Sequence, residues 1–166
     1  MEKAYFAGGC FWCIASVFSG IEGVHQVISG YSGGDTINPS YHEVKSQTTN
    51  HRETICVIYN ENIISYNELL NIFINHVDLF DEGGQFIDRG FSYTLALFFQ
   101  SEYEKTLIDE KIKDIVEEYH QAPAISVIPF TNFYEAEEEH QDYAQKNPTE
   151  FEHELNQSGR KDYFKN

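Results

Sequence analysis

The stretch Lys3-Ala4-Tyr5-Phe6-Ala7-Gly8-Gly9-Cys10-Phe11-Trp12-Cys13-Ile14-Ala15-Ser16-Val17-Phe18 organises the reading of the chain. Lys3 to Ala7 reads as a short strand that ends at Gly8-Gly9, and Cys10 to Phe18 as a helix stopped by Ser19-Gly20. Outward from it, His25 to Tyr31 is a second strand closed by Ser32-Gly33-Gly34, while Asp35 to Asn50 is polar, carries Pro39 and reads as a long loop. Thr54 to Tyr59 is a β-branched run typical of a buried strand. Ser65 with Glu68 and Ser101 with Glu104 are S-x-x-E capping boxes that predict two helix starts. Apolar stripes follow each, Leu69, Leu70, Ile72, Phe73 and Val77 after the first, and Leu107, Ile108, Ile112, Ile115 and Val116 within the second. Tyr93 to Phe99 reads as a strand between these helices and Ile125 to Ile128 as another. A short acidic helix around Ala136 to Lys146 comes last, ended by Pro148.

The first six elements therefore run strand, helix, strand, strand, helix, strand. That order spells a split βαβ unit repeated twice, as in ferredoxin-like folds. The expected class is α+β: a two-layer sandwich with helices on a mixed sheet, extended at its C-terminal end. With 166 residues, a single domain over 1–166 is the expectation, large enough to bury a core without staples.

Composition narrows the function. Eleven Lys and Arg against 27 Asp and Glu give a formal charge of −16, which disfavours nucleic acid and anionic lipid as partners. No apolar run approaches the ~20 residues of a membrane span. The N-terminal residues carry no basic region followed by a longer apolar core, so no signal peptide is read. Three cysteines, Cys10, Cys13 and Cys56, make an odd count without framework spacing, and the cytoplasm is the expected compartment.

The chemistry is expected at Cys10. Where a helix begins, backbone N–H groups and the positive end of the dipole favour a thiolate. The glycines before it allow another molecule close to the backbone, and Phe11 and Trp12 beside it suggest a nucleophile in a hydrophobic pocket. Cys13 lies one helical turn on, within bridging reach after modest adjustment. A cytosolic C-x-x-C suits redox cycling or half a zinc site, or is simply two buried cysteines. Zinc needs two further ligands, and Cys56, between Ile55 and Val57, reads as an inert core residue. No G-x-G-x-x-G or Walker sequence is present, and no metal, flavin or nucleotide cofactor is implied.

Gly9-Cys10-Phe11-Trp12 resembles the signature of the A-type peptide methionine sulfoxide reductases, and later segments follow that family's order. Gly30-Tyr31-Ser32-Gly33-Gly34 resembles its G-Y-x-G-G turn and Pro39 to Val44 its P-x-Y-x-x-V loop. His51-Arg52-Glu53 is similar to its His-Ala-Glu, Asp88 to Thr94 to its D-x-G-x-Q-Y-R, and Phe133 to Pro148 to its A-E-x-Y-H-Q-x-Y…N-P close. The resemblance implies reduction of methionine (S)-sulfoxide, free or within peptides and proteins. In it Cys10 matches the nucleophile and Glu53 the group that protonates the sulfoxide oxygen. Tyr41 and Tyr93 match phenols that hold that oxygen, Asp88 a carboxylate that stabilises the site, and Phe11 with Trp12 the cradle for the substrate methyl. Attack at a sulfoxide sulfur requires its oxygen to gain a proton, so a carboxylic acid of raised pKa suits the chemistry independently.

The chain departs from the family pattern in places. It has no cysteine after Cys56, where many members carry resolving cysteines. Ser92 and Thr94 replace the Gln and Arg of D-x-G-x-Q-Y-R, Glu139 replaces a Tyr of the closing motif, and Asn50 replaces the Gly before His-Ala-Glu. Cys13 is accordingly the expected resolving cysteine, condensing with a Cys10 sulfenic acid to a disulfide that an external dithiol, thioredoxin, reduces. Two other readings remain at this point: a general dithiol oxidoreductase using the same cysteine pair, and a non-enzymatic metal- or partner-binding module.

Overall fold

Alternating side chains in the first strand set up two buried layers. In β1 (Glu2–Ala7), Ala4 and Phe6 join the main core on the helical side, while Tyr5 and Ala7 join a smaller cluster on the other face. The computed structural model describes residues 1–164. After β1 come α1 (Phe11–Phe18), β2 (Val24–Ser32), α2 (Tyr41–Lys45), β3 (Arg52–Tyr59) and α3 (Tyr66–Ile74). A two-strand hairpin, β4 (Gly84–Gln85) with β5 (Asp88–Arg89), then leads through a 3₁₀ turn (Phe91–Tyr93) into β6 (Leu95–Phe99). The rest is α4 (Glu102–Tyr119), β7 (Ile125–Pro129), β8 (Tyr134–Glu135), a 3₁₀ turn at Glu138–His140, α5 (Tyr143–Lys146), α6 (Pro148–Ser158) and α7 (Arg160–Tyr163).

The six-stranded sheet has the order β7-β6-β1-β3-β2-β8. Its central four strands, β6-β1-β3-β2, are all antiparallel neighbours, which is the split βαβ arrangement read from the sequence. β7 adds in parallel to β6, making the sheet mixed. Phe6, Ile55, Val57 and Leu97 pack under Ile14, Phe18, Leu69, Leu70, Phe73 and Ile108 from the helices. On the opposite face, Cys56 lies with Tyr5, Ala96 and Phe98 beneath Ile128, Phe130 and Phe133, and burial pushes its thiol pKa up. Cys56 is thus a core residue on the far side of the sheet from the helices.

Four local expectations are corrected. The segment 35–50 is not wholly loop: Ser40 and Glu43 form a reciprocal capping box that starts α2. At the two starts where such boxes were expected, Ser65 and Ser101 do accept from the Glu68 and Glu104 amides. The carboxylates do not answer in kind: Glu104 accepts from Gln100 N instead, and Glu68 meets the Ser65 hydroxyl. Tyr93 is not in a strand but ends the 3₁₀ turn before β6. α5 does end at Lys146 ahead of Pro148, but Pro148 also opens the next helix, since a proline at the first helical position loses no hydrogen bond. The acidic segment before it is only the 3₁₀ turn and the single turn of α5.

Candidate active site

Antiparallel pairing brings one end of β1, the start of β3 and the start of β6 to the same edge of the sheet, and the candidate residues converge there. A cavity of about 470 Å³ is lined by Cys10, Phe11, Trp12, Cys13, Tyr41, Glu53, Asp88 and Tyr93, all eight residues singled out in the sequence. Gly9 makes the turn out of β1, with φ +89 in the left-handed region that favours glycine. Phe11 is buried, and Trp12 stacks on Tyr143 with centroids 3.9 Å apart. Tyr41 packs face-on against His140 at 4.4 Å.

Cys10 is the N-cap of α1, and its side chain makes no capping hydrogen bond. The first free N–H of the helix, that of Phe11, is donated to Glu53 Oε1 at 3.1 Å. The expected thiolate stabilisation at Cys10 is therefore not found. Its hydrogen bond with the Cys13 thiol, burial, and the nearby Glu53 and Asp88 carboxyls hold the Cys10 pKa well above the usual thiol value. Cys13 goes the other way: the hydrogen bond from Cys10 lowers its pKa and the Arg160 charge adds to this, against burial. Cys10 is the more exposed residue of the two, half-buried where Cys13 is 8% exposed.

Glu53 is 2% exposed. Burial raises its pKa to about 8 despite the Phe11 N–H, and Asp88 and Cys13 push in the same direction while the Tyr93 hydroxyl opposes them. At neutral pH it is a protonated carboxylic acid facing the cavity. Burial likewise raises Asp88, with Arg160 and Lys45 pulling it back down. The Tyr41 and Tyr93 phenols, raised by burial and then by Glu53, stay neutral hydrogen-bond donors. The cavity thus combines a buried acid, two phenol donors, two thiols and an aromatic wall.

The family model described as peptide methionine sulfoxide reductase matches residues 2–166. The chain belongs to this family. The peptide methionine sulfoxide reductase MsrA of Halalkalibacterium halodurans is 37% identical over 167 residues, covering 99% of this chain and 94% of its own. Among solved structures, reduced Mxr1 of Saccharomyces cerevisiae superposes with a TM-score of 0.82 at 29% identity, over 89% of this chain and 86% of that one. Mxr1 in complex with Trx2 shares the fold, with a TM-score of 0.56 at 21% identity over 86% and 84% of the two chains.

As a reductase of this family, the chain uses its remaining motif residues for construction. His51 Nδ1 accepts from Gly34 N at 3.0 Å and its Nε2 meets Thr36 O at 2.7 Å, tying the Gly33-Gly34 turn to the start of β3. Asn50, where the family pattern has Gly, adopts φ +60, a conformation asparagine tolerates better than most residues. His140 Nδ1 accepts from Trp12 Nε1 at 3.2 Å and so fixes the indole. That bond commits the proton of a neutral His140 to Nε2. The neighbouring Glu137, Glu139 and His140, whose donor atoms lie within 4.8 Å of one another, therefore present no free imidazole lone pair to a metal. Glu137 is moreover occupied by Tyr31 OH and Tyr41 N.

Sequence reasoning missed Lys45, Gln47, Glu154 and Gln157 in the cavity wall. It also missed Arg160, which reaches back from α7 to donate to His76 O at 2.7 Å and Gly8 O at 3.3 Å. The usable signal for the C-terminal part was Asn147-Pro148, legible as a helix start. No helix among the described residues is long and apolar enough to cross a membrane.

Proposed function

We propose that the protein reduces methionine (S)-sulfoxide, free or in peptides and proteins, with Cys10 as nucleophile, Glu53 as proton donor and Cys13 as resolving cysteine. The observation that carries this reading is the buried Glu53 carboxyl, its pKa pushed up to about 8 by burial, in the same cavity as Cys10. Glu53 gives its proton to the sulfoxide oxygen, which makes the sulfur electrophilic, while Tyr41 and Tyr93 donate hydrogen bonds to that oxygen. Cys10 attacks, and the proton it sheds returns to the Glu53 carboxylate. Methionine leaves as the thioether, reduced by two electrons, and Cys10 keeps the oxygen as a sulfenic acid. Phe11 and Trp12 hold the substrate methyl, and Asp88 supports the polar side of the cavity.

Cys13 then attacks the Cys10 sulfenic acid, forming a Cys10–Cys13 disulfide and releasing water. Its lowered pKa suits the attacking thiolate. Cys56 is on the other face of the sheet and takes no part. A dithiol returns both thiols to the reduced state, and thioredoxin is the proposed reductant. The thioredoxin complex of Mxr1, whose fold this chain shares, supports that choice. The odd cysteine count without framework spacing suits a reducing compartment, and the cytoplasm is the proposed location.

Single-turnover assays with the separated sulfoxide epimers of a methionine peptide test the reading. Cys10→Ser should release no methionine. Cys13→Ser should release one methionine per enzyme from the S epimer and then stall with thioredoxin, while Cys56→Ser should cycle almost normally. Substantial turnover by Cys10→Ser, or a dominant Cys10–Cys56 bridge on peptide mapping, would overturn it.

A further inference from the structure

The 3₁₀ turn that carries Tyr93 is gripped from two sides by residues remote in sequence. Gln47 Nε2 donates to Ser92 Oγ at 2.9 Å and to Lys45 O at 3.1 Å, while its Oε1 accepts from Ser92 N at 2.9 Å. Gly90 opens the way for this amide: its φ is +121, and a Cβ there would stand 2.8 Å from the Gln47 side-chain carbonyl carbon. On the other side, Arg52 Nε donates to Thr94 Oγ1 at 2.9 Å, and that hydroxyl donates onward to Phe91 O at 2.6 Å. The Arg52 guanidinium also lies 4.3 Å over the Phe91 ring, and its Nη2 donates to Ser126 Oγ at 3.2 Å. Phe91, Ser92 and Thr94 are thus each fixed by one of the two side chains, and Tyr93 is what they surround.

Arg52 is an unusual group for such a role. It is 7% exposed, and no ion pair is found for it among the described residues. Burying a cation without an acid partner costs stability, and burial lowers its pKa accordingly. What this arrangement yields is geometry: a planar fork that holds a hydroxyl and a ring in fixed places.

The two positions held are the two at which the chain departs from the D-x-G-x-Q-Y-R pattern. Ser92 stands for its glutamine and Thr94 for its arginine. A carboxamide and a guanidinium are nevertheless present on either side of Tyr93, delivered by Gln47 and by Arg52, the latter at a position where the His-Ala-Glu pattern has alanine. We propose that Gln47 and Arg52 are positioning residues that set Tyr93 in the cavity through Ser92 and Thr94, replacing in space the glutamine and arginine absent beside it in sequence. This rests on the reading that the Tyr93 hydroxyl holds the sulfoxide oxygen. Because Arg52 directly precedes Glu53, the same stretch of β3 aligns the acid and the phenol.

The test compares single-turnover methionine release and melting temperature in Tyr93→Phe, Gln47→Ala, Arg52→Ala and two restoring pairs, Gln47→Ala with Ser92→Gln and Arg52→Ala with Thr94→Arg. Misplacement of a reacting group by about 1 Å can cost ~10²-fold, so each alanine variant should lose ~10- to 100-fold in kcat with a smaller change in KM. Each restoring pair, which puts the family's own residue next to Tyr93, should recover the rate to within about threefold. If Arg52→Ala does not fold, the pair with Thr94→Arg supplies the guanidinium and carries the test: near-normal kcat supports the proposal, and a folded but slow enzyme overturns it. A slow Tyr93→Phe beside unaltered alanine variants would overturn the positioning role alone. So would a fall in melting temperature without loss of kcat. An unaltered Tyr93→Phe would remove the tyrosine's role and the positioning proposal together.

Discussion

At the scale of single residues, the site is governed by where protons sit. Glu53 accepts the Phe11 N–H that a helix start ordinarily offers to a capping side chain, yet burial still keeps the acid protonated up to about pH 8. Its folded-state pKa lies above its ordinary value of 4.5. The folded protein therefore holds a proton that the unfolded chain releases. The stability this gives is full below the unfolded pKa and is lost as pH rises through the folded one. Glu53→Gln still accepts from Phe11 N but has no carboxyl to ionise. Its melting temperature should gain on the wild type from about pH 5 to about pH 8 and then level off. The same variant cannot supply a proton, so single-turnover reduction should slow by ~10²- to 10⁴-fold. Melting curves across pH beside rapid-quench kinetics check both; a rate loss below threefold would mean that water or a tyrosine supplies the proton.

At the scale of elements, the short C-terminal strand matters more than its two residues suggest. β8 pairs with β2 through Gly30↔Glu135 and Tyr31↔Tyr134. It thereby places Glu137, which accepts from Tyr31 OH at 2.9 Å and Tyr41 N at 3.0 Å, and His140, which accepts from Trp12. Gly30 makes this possible, because a Cβ there would meet the Tyr134 carbonyl oxygen and the Phe133 ring. Gly30→Ala should cost about 1–3 kcal/mol through overpacking. It should also weaken substrate binding, since Tyr41 and Trp12 lose the supports that β8 delivers. Denaturant unfolding together with KM for a sulfoxide peptide measures this; unchanged stability would show that β8 yields freely. The strands and longer helices of this region were legible where apolar periodicity was strong. β8 was not, because a two-residue strand has no period and exists only through its neighbour.

At the scale of the whole molecule, a charge of −16 on 166 residues means net self-repulsion. The few ion pairs described, such as Arg89 with Asp81 at 2.6 Å and Lys105 with Asp109 at 2.8 Å, are at the surface and do little to offset it. Raising NaCl from ~10 mM to ~0.3 M should therefore raise the melting temperature, as the Debye length shrinks to within the spacing of surface charges. A calorimetric scan in which added salt left the transition unmoved would contradict this. The same field disfavours acidic substrates, so sulfoxides in basic peptides should react faster than those in acidic ones at low salt, with the difference shrinking as salt is added.

The sequence by itself determined the two βαβ units of the core, β1-α1-β2 and β3-α3-β6, though neither α2 nor the β4–β5 hairpin between them, because burial on alternate faces leaves a mark at period two in strands and 3.6 in helices. Its motifs also named eight of the residues that meet in the cavity. Tertiary structure alone decided in which direction each thiol pKa moves, because that depends on how the two thiols meet each other and on how closely Arg160, Glu53 and Asp88 approach. It also decided that Gln47 and Arg52 flank Tyr93. Each of these depends on distances between residues far apart in the chain, and such distances leave no local pattern in a sequence.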